Sequence, residues 1–140
     1  MTSRLDALLA SVLDLTDEAV VSVDDGQCIV FFNKSAEKMF GYPAEAIIGQ
    51  SINLLIPLSS REAHRSQLSR FGQSPEISRK MGERGEISAL RRDGSEFPAE
   101  ASITKIGFRD ATTFTVILRD ISAQRDAAET LANKTRQLRR

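Results

Sequence analysis

Residues 92–103 read RDGSEFPAEASI, and this stretch decides the fold class. Asp93 and Gly94 are the residue types of a tight turn between two antiparallel strands. Beyond the turn, apolar side chains alternate with polar ones from Phe97 to Ile103, so one face of the segment is apolar. A strand that buries one face and follows a tight turn is typical of an antiparallel sheet.

Further strands are predicted on both sides of this stretch. Residues 19–23 and 28–32 are rich in β-branched and aromatic side chains and predict a first hairpin. We expect Asp25-Gly26 to supply the positive φ of its turn. Residues 86–90 and 112–118 predict two more strands, which makes five in all.

Short helical segments separate the two groups of strands. Gly41 and Gly49 end two of these segments, because glycine is favoured where a helix stops. Residues 72–85 are polar and predict a loop. Helices grouped apart from antiparallel strands indicate an α+β fold, with a natural place for a small ligand between the two layers. We predict that this cavity is lined by Phe31, Met39, Ile48, Leu55, Leu68, Ile103, Val116 and Leu118.

The N-terminal segment, residues 1–17, predicts an amphipathic helix. Its apolar side chains recur with helical spacing and form one continuous stripe. Such a stripe is too continuous for a helix exposed to water, so we expect two copies of the chain to dimerise through it. The alternative is that the stripe packs on its own domain. The residues of this predicted interface are Leu5, Leu8, Leu9, Val12 and Leu13.

The composition suits one soluble domain. The chain has 140 residues, of which 41% are hydrophobic and 27% charged. Its 19 basic and 19 acidic residues give a net charge of zero, which argues against a general nucleic-acid-binding protein. No apolar run approaches the roughly 20 residues that span a bilayer, and the N-terminus lacks a secretory signal. We therefore expect a cytoplasmic module without membrane contact.

Reactive side chains are few. Cys28 is the one cysteine, which excludes an internal disulfide and a cysteine-based zinc site. One histidine and no glycine-rich phosphate loop leave little material for catalysis. We expect no enzymatic activity and no metal site in this segment.

Several motifs in the right order resemble the PAS family of sensory domains. The resemblance covers about residues 18–122, and it implies a sensory domain over residues 18–121. It implies a five-stranded antiparallel sheet in the order 2-1-5-4-3 and a role in signalling rather than catalysis. The positions that carry it are Asp25-Gly26, Ile29, Asn33, Ala36, Phe40-Gly41-Tyr42, Glu45, Ile48-Gly49, Arg92-Asp93-Gly94-Ser95-Glu96-Phe97-Pro98 and Arg119-Asp120-Ile121-Ser122.

The same resemblance raises the question of a cofactor. In haem-containing PAS oxygen sensors the iron-binding histidine lies on the helix that matches the one around His64, and Pro57, His64 and Arg70 have a similar spacing. The interpretation that we favour is a histidine at the surface or the cavity edge, in a domain without a cofactor. The alternative that the resemblance implies is His64 as a haem ligand, with Arg70 or Arg84 as a partner for a propionate. Flavin is not expected, because residues 51–55 lack the reactive cysteine of light-sensing relatives.

The C-terminal segment, residues 122–140, predicts a helix with a weak heptad pattern. Polar side chains interrupt the pattern, which suits a helix whose pairing is switchable. We expect the carboxylate of Asp120 to cap this helix at the point where the last strand ends. The residues expected to transmit the signal are Asp120, Ile121, Ala128, Leu131 and Leu138.

These features predict a PAS sensor and dimerisation module of a bacterial signalling protein. We expect a homodimer that passes a signal through its C-terminal helix to an output domain in a longer chain, most consistent with a histidine kinase. A diguanylate cyclase or a transcription regulator is an alternative parent. A haem-based gas sensor using His64, and a ligand-free structural dimeriser, are alternative functions.

Overall fold

The computed structural model describes residues 4–81, 85–108 and 111–138. The α-helices are α1 (Arg4–Asp14), α2 (Lys34–Phe40), α3 (Ala44–Ile47), α4 (Arg61–Gln73) and α5 (Ser122–Leu138). Two 3₁₀ turns, Ile52–Leu55 and Leu58–Ser60, lie between α3 and α4. The strands are β1 (Ala19–Val23), β2 (Ile29–Phe32), β3 (Ser78–Lys80), β4 (Glu86–Leu90), β5 (Glu96–Phe108) and β6 (Ala111–Asp120).

The strands form one antiparallel sheet in the order β2-β1-β6-β5-β3, with β4 also paired to β5. β4 pairs with residues 96–100 of β5 and β3 with residues 102–104, so the two short strands share one edge of β5. The α+β class is confirmed, and so is the predicted strand order, with β4 as its third strand. The described residues contain six strands rather than the predicted five.

The additional strand, β3, lies inside the predicted loop 72–85. Its residues Ser78, Arg79 and Lys80 carry no apolar alternation, so the sequence pattern does not mark them as a strand. They are held by pairing with β5 at the edge of the sheet, where charged side chains remain in contact with water. Tertiary pairing rather than local preference therefore forms this strand.

The first hairpin turn also differs from its prediction. The positive φ belongs to Gln27, at 65°, and not to Gly26. The reason is that Asp24 organises the turn: its carboxylate accepts from the Cys28 amide at 2.9 Å, and its carbonyl accepts from the Gln27 amide at 2.9 Å. In the second predicted turn, Gly94 does adopt a positive φ of 90°.

The core lies between the inner face of the sheet and α2, α3 and α4. Side chains of β1, β5 and β6 that share this face alternate along each strand, and those from Phe97 to Ile103 in the quoted stretch are buried as expected. Phe40 on α2 contacts the ring of Phe97 with the ring centroids 5.5 Å apart. The helical layer is thereby fixed over the centre of the sheet.

Asn33 joins α1 to the core. Its side-chain oxygen accepts from the amides of Ala36 at 3.0 Å and Val20 at 2.9 Å. Its side-chain nitrogen donates to the Asp14 carboxylate at the end of α1 at 2.7 Å and to the Glu18 carbonyl at 3.1 Å. The buried side chain of Asn33 thus forms hydrogen bonds to the end of α1, to β1 and to the first turn of α2.

Candidate functional site

A cavity of about 250 Å³ lies between the sheet and α4. Apolar side chains make up most of its wall, and the polar residues among its lining are Ser60, His64, Gln67 and Ser88. A concave, mainly apolar site with a few polar groups is the usual form of a small-molecule pocket, although this volume lies just below the usual lower limit of about 300 Å³. Its lining residues are Val21, Phe40, Ile52, Leu55, Ile56, Ser60, Ala63, His64, Gln67, Met81, Ile87, Ser88, Ala89, Val116 and Leu118.

Five of the predicted cavity residues do lie in this region. Leu55, Val116 and Leu118 line the cavity itself. Leu68 and Ile103 are buried beside it and line a second hollow of about 340 Å³. The sequence pattern identifies the inner faces of β5, β6 and α4. It does not show that the space between them forms two separate hollows.

The other three predicted cavity residues lie elsewhere. Ile48 is 46% exposed, because the short helix α3 turns Ile47 inward instead. Phe31 lies on the outer face of the sheet, where it pairs with Ser22, since β2 buries the neighbouring Phe32. Met39 lines a surface groove next to Arg91 rather than the cavity, because α2 directs Ala36 and Phe40 into the core.

His64 lies on α4 at the boundary of the two hollows and lines both. Its Nδ1 atom is buried and has no hydrogen-bond partner among the described residues. Burial lowers the pKa of the imidazole below its ordinary value, which favours the neutral ring at pH 7.

The residues present fit a haem in part. A neutral imidazole with an unpartnered nitrogen at a cavity wall is a suitable iron ligand. The two hollows that meet at His64 offer more space together than either does alone. Arg70 is exposed on α4, and Arg84 lies outside the described residues, so only the histidine of the predicted set is placed at the cavity.

A second polar centre links the core to the C-terminal helix. Nη1 of Arg91 donates to the carbonyl of Met39 at 2.6 Å, and Nη2 donates to the carboxylate of Asp120 at 2.8 Å. The guanidinium carbon lies 3.9 Å from the centroid of the Phe97 ring, within the range of a cation–π contact. Arg91 therefore holds the end of α2, β5 and the end of β6 at one point.

Asp120 is directly connected to the start of α5. Its Oδ1 atom accepts from the amide of Ser122 at 2.9 Å and from the Ser122 hydroxyl at 2.5 Å. The carboxylate lies one residue before Ile121, whose carbonyl accepts the first helical hydrogen bond from Arg125. Asp120 thus satisfies one of the free amides at the helix start.

The charge of Asp120 is stabilised at this position. Burial alone would raise the pKa of its carboxyl, but the hydrogen bonds from Ser122 and Arg91 and the charge of Arg91 outweigh that effect and lower it. The ion pair is partly open to water, with 29% of the Arg91 side chain and 28% of the Asp120 side chain exposed.

Arg91 is a residue of this candidate site that sequence reasoning misses. It precedes the Asp93-Gly94 turn among other charged residues, and nothing in its spacing marks it as a bridge. A connection from the cavity becomes visible only in three dimensions: Phe40 of the cavity wall contacts Phe97, Phe97 contacts Arg91, and Arg91 holds Asp120.

The two terminal helices expose apolar side chains. On α1, Leu8 is 63% and Val12 55% exposed, while Leu13 is half-buried above the outer face of the sheet. The side chains of Leu5 and Leu9 lie outside the described residues. Ile121, directly before α5, is buried. On α5, Ala128 and Leu131 are exposed, and the side chain of Leu138 is again outside the described residues.

The described residues contain neither a metal-binding cluster nor a membrane-spanning helix. Within residues 4–81, 85–108 and 111–138, no group of three or more histidine, cysteine or acidic side chains is arranged to hold a metal ion. In the same residues, no helix combines the length and the apolar character needed to cross a membrane.

Comparison with known proteins identifies relatives. A family profile described as "PAS domain" matches residues 17–123. The sensor protein FixL of Bradyrhizobium diazoefficiens is 32% identical over 116 residues, which cover 81% of this chain and 22% of that protein. The oxygen sensor protein DosP of Escherichia coli is 28% identical over 133 residues, which cover 95% of this chain and 16% of that protein.

A solved structure shows the same fold. The crystal structure of the PAS domain of a protein from Colwellia psychrerythraea superimposes with a TM-score of 0.71 at 26% identity, covering 85% of this chain and 98% of that one. The chain spans only about a fifth of the length of the curated relatives it matches. The similarity to those relatives therefore concerns one domain of each.

Proposed function

Since this chain belongs to the PAS domain family, we propose that it is a cytoplasmic sensory module that passes a signal from its cavity through α5 to an output domain. The output domain that we propose is a histidine kinase, and we propose no catalysis by the module itself. The named relatives support the sensory part, since one is a sensor protein and the other an oxygen sensor protein.

The observation that carries this proposal is the bridge from Arg91 to Asp120. Phe40 lines the cavity, and the carbonyl of the preceding residue, Met39, accepts the hydrogen bond from Arg91. Leu118, another cavity residue, precedes Asp120 by two positions on β6. A ligand that displaces either wall therefore moves an anchor of the ion pair at the start of α5.

The energies involved suit a switch. A helix cap contributes about 1 kcal/mol, and a partly exposed ion pair about 0.2–1 kcal/mol. Contributions of this size do not decide whether the domain folds, but they change a balanced equilibrium between two helix arrangements several-fold. The bridge is therefore strong enough to bias α5 and weak enough to be altered by a ligand.

The experiment uses the full-length parent protein and its output activity. Arg91→Gln removes the charge that holds both Met39 and Asp120, so we expect the basal output or its response to the signal to change several-fold. Arg119→Gln is the matched control, because Arg119 forms an exposed ion pair with Glu100 on the outer face at 3.1 Å. Wild-type output in Arg91→Gln would remove the bridge from the signalling path.

We also propose that the module works as a homodimer. The exposed Leu8 and Val12 on α1 support this proposal, because a helix with several large exposed apolar side chains is stabilised by covering them. The helix is anchored to the core through Asp14 and Asn33, so a change at the interface is coupled to the domain.

A haem-based gas sensor is the second candidate function. The observation that favours it is the buried and unpartnered Nδ1 of His64 at the cavity wall. A bound haem would supply an iron centre for a diatomic gas, and His64 would hold it. An absorption spectrum of the purified protein after reconstitution with haemin tests this candidate. A Soret band that is lost in His64→Ala supports it, and a spectrum of free haemin contradicts it.

A further inference from the structure

Two hollows of different chemical character meet beside α4. The first, of about 250 Å³, is mainly apolar, and the second, of about 340 Å³, is lined by Arg79 on the inner face of β3. The two share the side chains of His64, Gln67 and Met81. An apolar hollow beside one that contains a guanidinium favours a ligand with an apolar part and an anionic part.

Arg79 is positioned to bind an anion. Its guanidinium carbon lies 4.4 Å from the centroid of the Phe71 ring, and this contact orients the side chain. Its Nε atom is buried and has no hydrogen-bond partner among the described residues. Arg79 forms a long ion pair with Glu76, whose exposed carboxylate oxygen lies 3.6 Å from Nε and so beyond hydrogen-bond distance.

Lys105, a second cation beside the Phe71 ring, differs from Arg79 because its charged group has hydrogen-bond partners. Nζ of Lys105 lies 4.9 Å from the same Phe71 ring, but it donates to the carbonyl of Phe71 at 2.5 Å and also to the carbonyl of Ser74. The charge of Lys105 therefore stabilises the C-terminal end of α4. Arg79 has no such partner at Nε, and no carboxylate is among the described residues that line its hollow.

Building on the proposed sensory function, we propose that the ligand of this module is an organic carboxylate with an apolar body, such as an alkyl chain. The apolar body occupies the first hollow, against Leu55, Val116 and Leu118. The carboxylate occupies the second hollow and accepts a hydrogen bond from Arg79. A buried donor without a partner is costly, and a charged acceptor relieves that cost better than a neutral one does.

Calorimetric titration of the 140-residue protein with sodium octanoate, 1-octanol and sodium acetate tests this proposal. Octanoate and octanol share an alkyl chain and differ in charge, while acetate has the charge without the apolar body. We expect octanoate to bind more tightly than octanol, and acetate not to bind. Arg79→Gln is expected to weaken octanoate by about tenfold or more, with octanol unchanged.

Two variants serve as controls. Arg119→Gln removes a positive charge from the outer face of the sheet and is expected to leave octanoate binding unchanged. Ala63→Phe adds a ring at an exposed position of α4 that borders the first hollow, so it is expected to weaken both octanoate and octanol without unfolding the domain. Circular dichroism checks that each variant is folded.

The outcomes separate this proposal from the proposed function. Equal affinity for octanoate and octanol, or unchanged octanoate binding in Arg79→Gln, would overturn the carboxylate proposal and leave the signalling role of the Arg91 bridge intact. Haemin also carries carboxylates, so it is titrated as a second probe. Binding of haemin without binding of octanoate would overturn the proposal of a free organic acid.

Discussion

The Nη2 atom of Arg91 lies 2.8 Å from the carboxylate of Asp120, although the two residues are 29 positions apart in the chain. Arg91 follows β4, and Asp120 ends β6. The ion pair connects the residue after β4 to the start of the C-terminal helix, because Asp120 also accepts from the amide of Ser122. We propose that a change in the sheet reaches α5 through this contact.

Replacement of Asp120 by alanine should change signalling more than stability. The variant loses the acceptor for Ser122 and the partner of Arg91, each a contribution of about 1 kcal/mol. We expect a fall of only a few degrees in Tm, measured by thermal unfolding, together with a clear change in output of the full-length protein. A large loss of Tm without a change in output would assign Asp120 a purely structural role.

The same carboxylate predicts a dependence of stability on pH. Its pKa is lowered in the folded state, so the unfolded chain binds the proton more readily. The stabilisation is complete above the ordinary aspartate pKa of about 4 and is lost as the pH falls through the lower folded value. Urea unfolding of the protein and of Asp120→Asn should therefore show a difference in free energy that shrinks below about pH 4.

His64 predicts a second pH effect in a different window. Burial lowers its pKa, so the unfolded chain takes up a proton that the folded chain resists. Stability should fall as the pH decreases through the ordinary histidine pKa of about 6.5. In His64→Gln this part of the decrease should be absent between about pH 7 and pH 5. Parallel curves for the two proteins over that window would contradict a desolvated histidine.

Asn33 should be among the most sensitive polar positions of the fold. Asn33→Ala leaves the buried amides of Val20 and Ala36 without acceptors, and each such loss costs about 1–3 kcal/mol. Asn53→Ala is the matched control, because the side-chain oxygen of Asn53 accepts no hydrogen bond from the described residues. In chemical denaturation, we expect Asn33→Ala to lose much more free energy of unfolding than Asn53→Ala. Similar losses in the two variants would contradict the stabilising role of the Asn33 hydrogen bonds.

The exposed stripe of α1 predicts the oligomeric state. Replacing Leu8 and Leu9 with glutamate places charge on the proposed dimer face, so the particle should shift toward the monomer in analytical ultracentrifugation. Lys38→Glu, an exposed charge change on α2, is a control that should leave the mass unchanged. A wild-type mass in the Leu8 and Leu9 variant would assign the stripe to packing within one chain.

The regular parts of the fold were accessible to sequence reasoning because they follow simple periodicities. The alternation from Phe97 to Ile103 and the helix stop at Gly41 identify the inner face of β5 and the end of α2. β3 was not accessible, because its polar residues are ordered by pairing with β5. The positive φ at Gln27 was missed for a similar reason, since the Asp24 carboxylate sets that turn.

The candidate site was predictable only in its apolar part. Leu55, Val116 and Leu118 follow from patterns of burial, whereas Ile48 does not, because a one-turn helix leaves the direction of its last residues to tertiary packing. The roles of Arg91 and Arg79 depend on contacts between segments distant in the chain. No local pattern in the sequence specifies such contacts.

We propose that Arg91 and Asp120 act together in signal transfer. A double-mutant cycle of Arg91→Gln and Asp120→Asn, read out as the output activity of the full-length protein with and without its signal, tests this claim most directly. If the pair is the link, each single variant alters the response and the double variant is no more impaired than either one. Additive effects of the two substitutions would contradict a joint role of Arg91 and Asp120 in signal transfer. A wild-type response in either single variant would contradict it as well.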